Sequence, residues 1–183
     1  WLTRIAIRPN RSIMRLHIVP IQRPNALVVF VHGACARMQQ FSHQIDFFHE
    51  AGYEILAYDA LGCGLSAKPV GASLYSSEEL YLDLCAFLKP HIDSNPRTIL
   101  VGHSMGGTMV LKYASENSVR LAIGIAPALF SGKHQLPANI FKLPRSLLWL
   151  IRPLMGLRVR EMLFGPKASA ELVRQEKEAS ARN

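Results

Sequence analysis

The sequence GHSMG at residues 102–106 constrains the fold of this chain more than any other stretch. It follows the apolar run at 98–101 and opens into residues 108–114, whose pattern favours a helix. A serine between small residues, at the junction of a strand and a helix, is typical of a nucleophile elbow, a strained turn without room for neighbouring side chains. Such a turn would lift the Ser104 hydroxyl above a sheet, at a helix N-terminus that favours developing negative charge.

The surrounding residues alternate in the way that such an elbow requires. Apolar runs predict strands at 26–31, 53–58, 98–101 and 121–126, of which the continuous run at 26–31 is typical of a strand buried on both faces. Helical patterns predict helices at about 38–50, 76–90 and 105–117. This order is typical of an α/β fold, in which helices cover both faces of a mostly parallel sheet.

The two ends of the chain lack this rhythm. Short alternating stretches at 5–7 and 14–19 predict edge strands. Residues 136–164 are apolar and basic and are interrupted by prolines, which predicts short helices. We therefore divide the chain into a sheet core at 1–127 and a helical segment at 128–183.

Charge is distributed unevenly around a net value of +8. Residues 1–25 carry five arginines and no acid, and residues 128–183 carry ten basic against four acidic residues, whereas the middle holds six basic and nine acidic residues. The basic ends suit an anionic membrane surface or an acyl-phosphate substrate, or are simply a solvated basic surface. No recognition motif accompanies the charge, so a nucleic-acid partner is not expected.

Cysteine usage and hydropathy bear on the compartment. Cys35, Cys63 and Cys85 are odd in number and form no CxxC pair, which argues against a disulfide framework. The apolar stretch at 146–151 is bracketed by Arg145 and Arg152 and is too short to span a bilayer. We expect an intracellular protein, cytoplasmic or membrane-associated, although a chain that begins with Trp1 could have lost a targeting segment.

Two further loops follow predicted strands. Acyl transfer needs two backbone N–H groups aimed at the oxygen that becomes an oxyanion, and we assign these to Met105, after the serine, and to Ala34, in the loop after strand 26–31. His32 is interpreted as a residue that orients this loop rather than as a base. Asp59 is interpreted as an acceptor for backbone N–H groups of the following turn rather than as a catalytic acid.

Together these motifs resemble the α/β-hydrolase superfamily. The resemblance covers residues 20–127 and consists of HG after the third strand, DxxGxGxS after the fourth and GHSMGG after the fifth. Within the superfamily, the chain looks most like abhydrolase-domain-containing proteins and their monoglyceride-lipase and epoxide-hydrolase-like relatives. A serine at position 104 argues against epoxide hydrolases and haloalkane dehalogenases, whose nucleophile is a carboxylate.

The resemblance implies a serine hydrolase of esters, thioesters or lipid acyl groups, without cofactor or metal. Its nucleophile would be Ser104, and its oxyanion donors would be Ala34 and Met105. The residues implied to support them are His32, Gly33, Asp59, Gly102, His103 and Gly106.

The resemblance breaks at the base and the acid. The family order is Ser, then Asp or Glu, then His, yet no aspartate follows Asp93 and the only histidine after His103 is His134. His134 would have to act from an atypical position; otherwise it is an exposed loop histidine. We therefore expect a C-terminally incomplete chain, truncated before the last strands, with a partial helical cap or lid, and inactive or impaired alone.

The substrate implied by the resemblance is a lipid or a small carboxylic ester, and apolar residues of 136–164 would wall an acyl tunnel or pack on the core. An alternative is a non-catalytic α/β-hydrolase-like scaffold that binds a partner or an anionic membrane. Peripheral membrane contact through the basic ends is compatible with both.

Overall fold

The computed structural model describes residues 1–93, 95, 97–127 and 174. Its strands are β1 Leu2–Arg8, β2 Arg11–Ile18, β3 Leu27–Val31, β4 Glu54–Asp59, β5 Thr98–His103 and β6 Leu121–Ile125. Its helices are α1 Ser42–Glu50, α2 Ser77–Ile92 and α3 Met105–Glu116, with short 3-10 turns at Met38–Phe41 and Ala72–Tyr75. All of these elements lie in the first of two compact units, Trp1–Ala128.

The strands form one sheet in the order β1-β2-β4-β3-β5-β6. Strands β4, β3, β5 and β6 run parallel, and the hairpin of β1 and β2 adds antiparallel pairs at one side. Because parallel strands end at the same edge of a sheet, the loops after β3, β4 and β5 meet there. This edge carries the three sequence motifs.

The core lies on both faces of the sheet. Successive residues of a strand face opposite sides, so Val29 of β3 packs with Leu84 and Val110 on one face, whereas Phe30 packs with Ile45 on the other. Strand β3 is buried along its whole length. A central strand is packed against helices on both faces of the sheet, so most of its side chains are apolar, and this is why the apolar runs predicted the central strands.

Two details differ from the sequence predictions. The second N-terminal strand is not an edge, because β2 pairs with both β1 and β4. Helix α2, predicted to end near Pro90, ends two residues later, at Ile92; Pro90 has no N–H to donate, but the Asp93 N–H still donates to the Lys89 carbonyl.

Two contacts fix the N-terminal half of helix α2, one at its first turn and one at Asp83. The Ser76 hydroxyl accepts a hydrogen bond from the Glu79 N–H at 3.2 Å, as the capping-box spacing predicted. One turn later, the Asp83 carboxylate accepts two bonds from Arg11 at the start of β2, both at 2.5 Å. This ion pair ties the hairpin to the helix layer.

The division at residue 127 and the predicted cap at 128–183 stay predictions, because the cap falls outside the described residues. Within the described part of the chain, no helix is long and apolar enough to cross a membrane.

Candidate active site

Ser104 sits at the elbow between β5 and α3. Its backbone has φ 50° and ψ −115°, outside the regions that non-glycine residues ordinarily occupy. Its N–H donates to the Ile125 carbonyl at 2.9 Å, and its carbonyl accepts the Thr108 N–H at 3.1 Å. The strained turn is thus held from the neighbouring strand β6 and from the first turn of α3.

The glycines around Ser104 are required by backbone contacts. A Cβ at Gly102 would overlap the backbone of Gly106, and a Cβ at Gly106 would overlap the carbonyl oxygens of Val31 and His32. The start of α3 therefore rests directly on the end of β3. The small residues at 102 and 106 are needed because the backbones of β3, β5 and α3 approach one another closely here.

The loop after β3 passes close to the elbow. A Cβ on Gly33 would lie 2.9 Å from Nδ1 of His103 and 3.4 Å from Cβ of Ser104. The structure thus brings Gly33 and Ser104 together, as the assignment of an oxyanion loop requires.

Hydrogen bonds fix the peptide between Gly33 and Ala34. The Gly33 carbonyl accepts from Nδ1 of His32 at 2.7 Å and from the Ala36 N–H at 3.2 Å. Because C=O and N–H point in opposite directions in a trans peptide, these bonds also set the direction of the Ala34 N–H. Among the hydrogen bonds of the described residues, that N–H has no acceptor.

Met105 is the first residue of α3. The N–H groups of a first helical turn have no acceptor within the helix, and the helix dipole adds positive potential there. The N–H of Met105 therefore has the chemistry expected of an oxyanion donor.

His32 is buried, with both ring nitrogens in use. Nε2 accepts the Ala60 N–H at 2.9 Å, so the ring proton is on Nδ1, which donates to the Gly33 carbonyl. Burial lowers the pKa of His32 below its ordinary value because the charged ring loses its solvation. A neutral ring without a vacant nitrogen supports the interpretation of His32 as a loop-orienting residue.

Asp59 is fully buried at the end of β4. Its Oδ1 accepts the Met38 N–H at 2.8 Å and its Oδ2 accepts the Leu65 N–H at 2.9 Å. A Cβ at Gly64 would overlap the same carboxylate. These contacts support the interpretation of Asp59 as the residue that holds two loops, rather than as a catalytic acid.

Gln40 contacts both the loop after β3 and the end of β5, and the sequence analysis did not identify it. Its Oε1 accepts the Gly33 N–H at 3.2 Å, and its Nε2 lies 2.7 Å from Nδ1 of His103. Gln40 belongs to no motif, and it lies 63 positions from His103. No local pattern could have identified it.

The base and the acid are not found near the elbow. In the part of the chain that the structure describes, no imidazole or carboxylate hydrogen-bonds the Ser104 hydroxyl, and no cluster of three metal-ligating side chains occurs. His134 lies outside that part. What the described residues supply is a serine held at a strained turn, beside the two backbone N–H groups that the sequence predicted as donors.

Several known proteins are similar to this chain in sequence. Residues 22–182 match the family model described as serine aminopeptidase, S33. Protein ABHD8 of Bos taurus is 28% identical over 175 residues, which cover 92% of this chain and 40% of that protein. Epoxide hydrolase A of Mycobacterium tuberculosis is 33% identical over 98 residues, covering 53% of this chain and 30% of that protein. The chain thus spans about two fifths of the length of ABHD8.

Solved structures show the same fold. Epoxide hydrolase A of Mycobacterium thermoresistibile superposes with a TM-score of 0.57 at 24% identity, over 68% of this chain and 38% of that one. The esterase of Exiguobacterium antarcticum gives 0.55 at 26% identity, over 64% and 42%. The predicted α/β-hydrolase fold, with its mostly parallel sheet, is confirmed.

Proposed function

Because the chain belongs to the α/β-hydrolase family that the serine aminopeptidase S33 model describes, we propose that Ser104 is the nucleophile of a serine hydrolase that cleaves an acyl ester. The observation that carries this proposal is the conformation of Ser104, whose positive φ of 50° is maintained by backbone bonds on both sides. Strain of this kind at a partly buried serine is costly and is typical of functional sites.

The proposed reaction is acyl transfer to the serine. Ser104 Oγ attacks the ester carbonyl carbon while a base accepts the hydroxyl proton, and the carbonyl oxygen becomes an oxyanion. The N–H groups of Met105 and Ala34 stabilise this charge, a contribution of about 10²–10³ in rate for each donor. The base returns its proton to the leaving alkoxide oxygen as the C–O bond breaks, so a neutral alcohol departs, and water then hydrolyses the acyl-enzyme.

The base and the acid are the groups that the described residues do not supply. A serine hydroxyl is a weak nucleophile until a base accepts its proton. We therefore propose that the 183-residue chain alone turns over esters slowly or not at all, and that the low reactivity reflects an unactivated Ser104 rather than a misfolded elbow.

The substrate is proposed to be a small carboxylic ester or a lipid ester. Membrane contact through residues 1–25 has weaker support, because two of its five arginines are neutralised within the molecule. Arg8 and Arg11 form ion pairs with Glu79 and Asp83 of α2. A comparison of short-chain and long-chain esters in the intact protein tests the lipid preference.

Covalent labelling with a fluorophosphonate probe tests the nucleophile. We expect the intact protein to gain one label, located by mass spectrometry on the peptide that contains Ser104. S104A should abolish the label, whereas S115A, which removes an exposed hydroxyl from the same helix, should leave it unchanged.

Labelling that persists in S104A, or a folded intact protein that takes no label, would overturn the proposal. The second result would favour the alternative, a non-catalytic α/β-hydrolase-like scaffold.

A further inference from the structure

Gln40 links the two backbone segments that hold the proposed oxyanion donors. Gly33, whose N–H donates to Oε1 of Gln40, immediately precedes Ala34. His103, whose Nδ1 lies 2.7 Å from Nε2 of Gln40, immediately precedes the elbow serine. One half-buried side chain thus spans the gap between the loop after β3 and the end of β5.

The direction of each bond follows from the backbone. The Gly33 N–H can only donate, so it must meet the oxygen of the Gln40 amide, and the NH₂ group must then face His103. Nδ1 of His103 therefore accepts, and the ring proton of a neutral His103 resides on Nε2. Gln40 consequently selects one tautomer of the residue beside the nucleophile.

The same bond decides which N–H groups remain available. The Gly33 N–H is occupied by Gln40 and the Gly33 carbonyl by His32 and Ala36, so the Ala34 N–H is the next donor along the loop. The loop then enters Cys35, which is exposed and has φ 58°. A left-handed conformation at a non-glycine residue is unfavourable, so a loop with this turn needs attachment to neighbouring segments.

We propose that Gln40 is a positioning residue that sets the separation between the N–H groups of Ala34 and Met105. The inference rests on the proposed function, because those donors matter only if an oxyanion forms. Packing already defines the closest approach, since a Cβ on Gly33 would lie 2.9 Å from His103. Gln40 supplies the attraction that keeps the loop at that limit.

Kinetics in the intact protein test the proposal. Q40M removes both bonds with a side chain of similar length, and we expect kcat for ester hydrolysis to fall roughly 10-fold with KM unchanged, less than the loss of a whole donor. Q40E keeps an acceptor for the Gly33 N–H, but its carboxylate cannot donate to His103, so the second bond survives only if the His103 proton moves to Nδ1. Its kcat should therefore lie between those of Q40M and the unmodified protein. Gln39 is the exposed neighbour, and Q39M is the matched control with unchanged kcat and KM.

The partner residue provides a second arm. Asn places an acceptor near the position of Nδ1, so H103N should retain more of kcat than H103L. Because H103L and Q40M break the same contact, the double variant should be closer to the worse single variant than to the product of the two losses. An unchanged kcat in folded Q40M, a rise in KM alone, or fully multiplicative losses would overturn the proposal.

A readout without activity separates this proposal from the proposed function. The ¹⁵N spectrum of histidine-labelled protein should show His103 with Nδ1 unprotonated, and this signature should weaken in Q40M but not in Q39M. If S104A keeps its fluorophosphonate label, the proposed function fails whatever the spectrum shows. If S104A loses the label while Q40M labels at the full rate, only the role of Gln40 fails.

Discussion

The Cα of Gly106 faces the carbonyl oxygen of Val31 at a distance that leaves no space for a methyl group. Through this contact the first turn of α3 packs directly against the end of β3. The elbow and the loop after β3 therefore take their relative position from backbone atoms, before any side chain of the site contributes. This explains why a site composed of backbone donors can be rigid.

Substituting this glycine should destabilise the fold. In G106A the new methyl group meets the Val31 and His32 carbonyls, which belong to a buried strand and cannot yield, so we expect a loss of about 1–3 kcal/mol or more in the free energy of unfolding. The control is G124A, whose methyl group would lie 2.8 Å from the end of the flexible Leu111 side chain. Urea unfolding of the intact protein measures both, and equal losses in the two variants would contradict the argument.

Asp59 offers a second test, of loop attachment. In D59N one carboxylate oxygen becomes an NH₂ group that faces a backbone N–H of Met38 or Leu65, so one buried bond is lost and replaced by a clash of donors. We expect a loss of about 1–3 kcal/mol and faster proteolysis within residues 60–70. D46N, an exposed position on α1, should change neither measurement. Retention of full stability by D59N would mean that the two loops are held by other contacts.

Local sequence predicted the elbow and the central strands because their causes are local. Gly102 approaches the backbone of Gly106 within a single turn of the chain, and a fully apolar run such as β3 reflects cover on both faces of the sheet. Gly106 also meets the Val31 carbonyl of β3, a long-range contact that the local pattern does not show. The roles predicted for His32 and Asp59 remain predictions that their hydrogen bonds support.

Long-range relationships could not be predicted in the same way. The position of β2 inside the sheet depends on pairing with β4, about 40 residues further along the chain, and an alternating pattern is compatible with both an edge and an interior strand. The contact of Gln40 with His103 likewise has no period or motif. The division at residue 127 and the role of His134 depend on residues that the structure does not describe.

The ion pair between Arg11 and Asp83 should stabilise the attachment of the hairpin. Both side chains are almost fully buried, at 5% and 2% exposure. Removal of Arg11 therefore leaves the buried Asp83 carboxylate with only the partly exposed Arg8, 3.1 Å away, as its counter-charge. We expect R11M to cost about 3–5 kcal/mol in the free energy of unfolding, and the double variant R11M/D83L to be less destabilised than R11M alone.

The half-exposed pair beside it is the natural control. Arg8 and Glu79 are 27% and 33% exposed, and the contact of Glu79 with Arg11 is longer, at 3.6 Å, so E79Q should cost about 1 kcal/mol or less. Urea unfolding distinguishes these outcomes. A loss in R11M no larger than that in E79Q would show that the buried pair contributes no more than a surface pair.

The protonation of His32 should make stability depend on pH in a defined direction. Burial lowers its pKa in the folded state below the ordinary value of 6.5, so between those two values the unfolded chain binds a proton that the folded chain does not. Stability from this residue is complete above pH 6.5 and falls as pH drops towards the lowered pKa. Protonation of Nε2 would also remove the acceptor of the Ala60 N–H, which couples the pH effect to the loops of the site.

Two glutamine variants isolate this contribution. Burial also lowers the pKa of His91, so the free energy of unfolding should be measured from pH 7.5 to 5 in the unmodified protein, H32Q and H91Q. H32Q keeps an acceptor for the Ala60 N–H but cannot titrate. The slope of its unfolding free energy against pH should therefore decrease by an amount that corresponds to the uptake of up to one proton on unfolding. The reduction in H91Q should be separate and additive, because His32 lies in the loop after β3, whereas the ring of His91 packs on His17 and Phe87. An H32Q slope identical to that of the unmodified protein would show that His32 takes up its proton equally in both states, and therefore that burial does not hold it neutral.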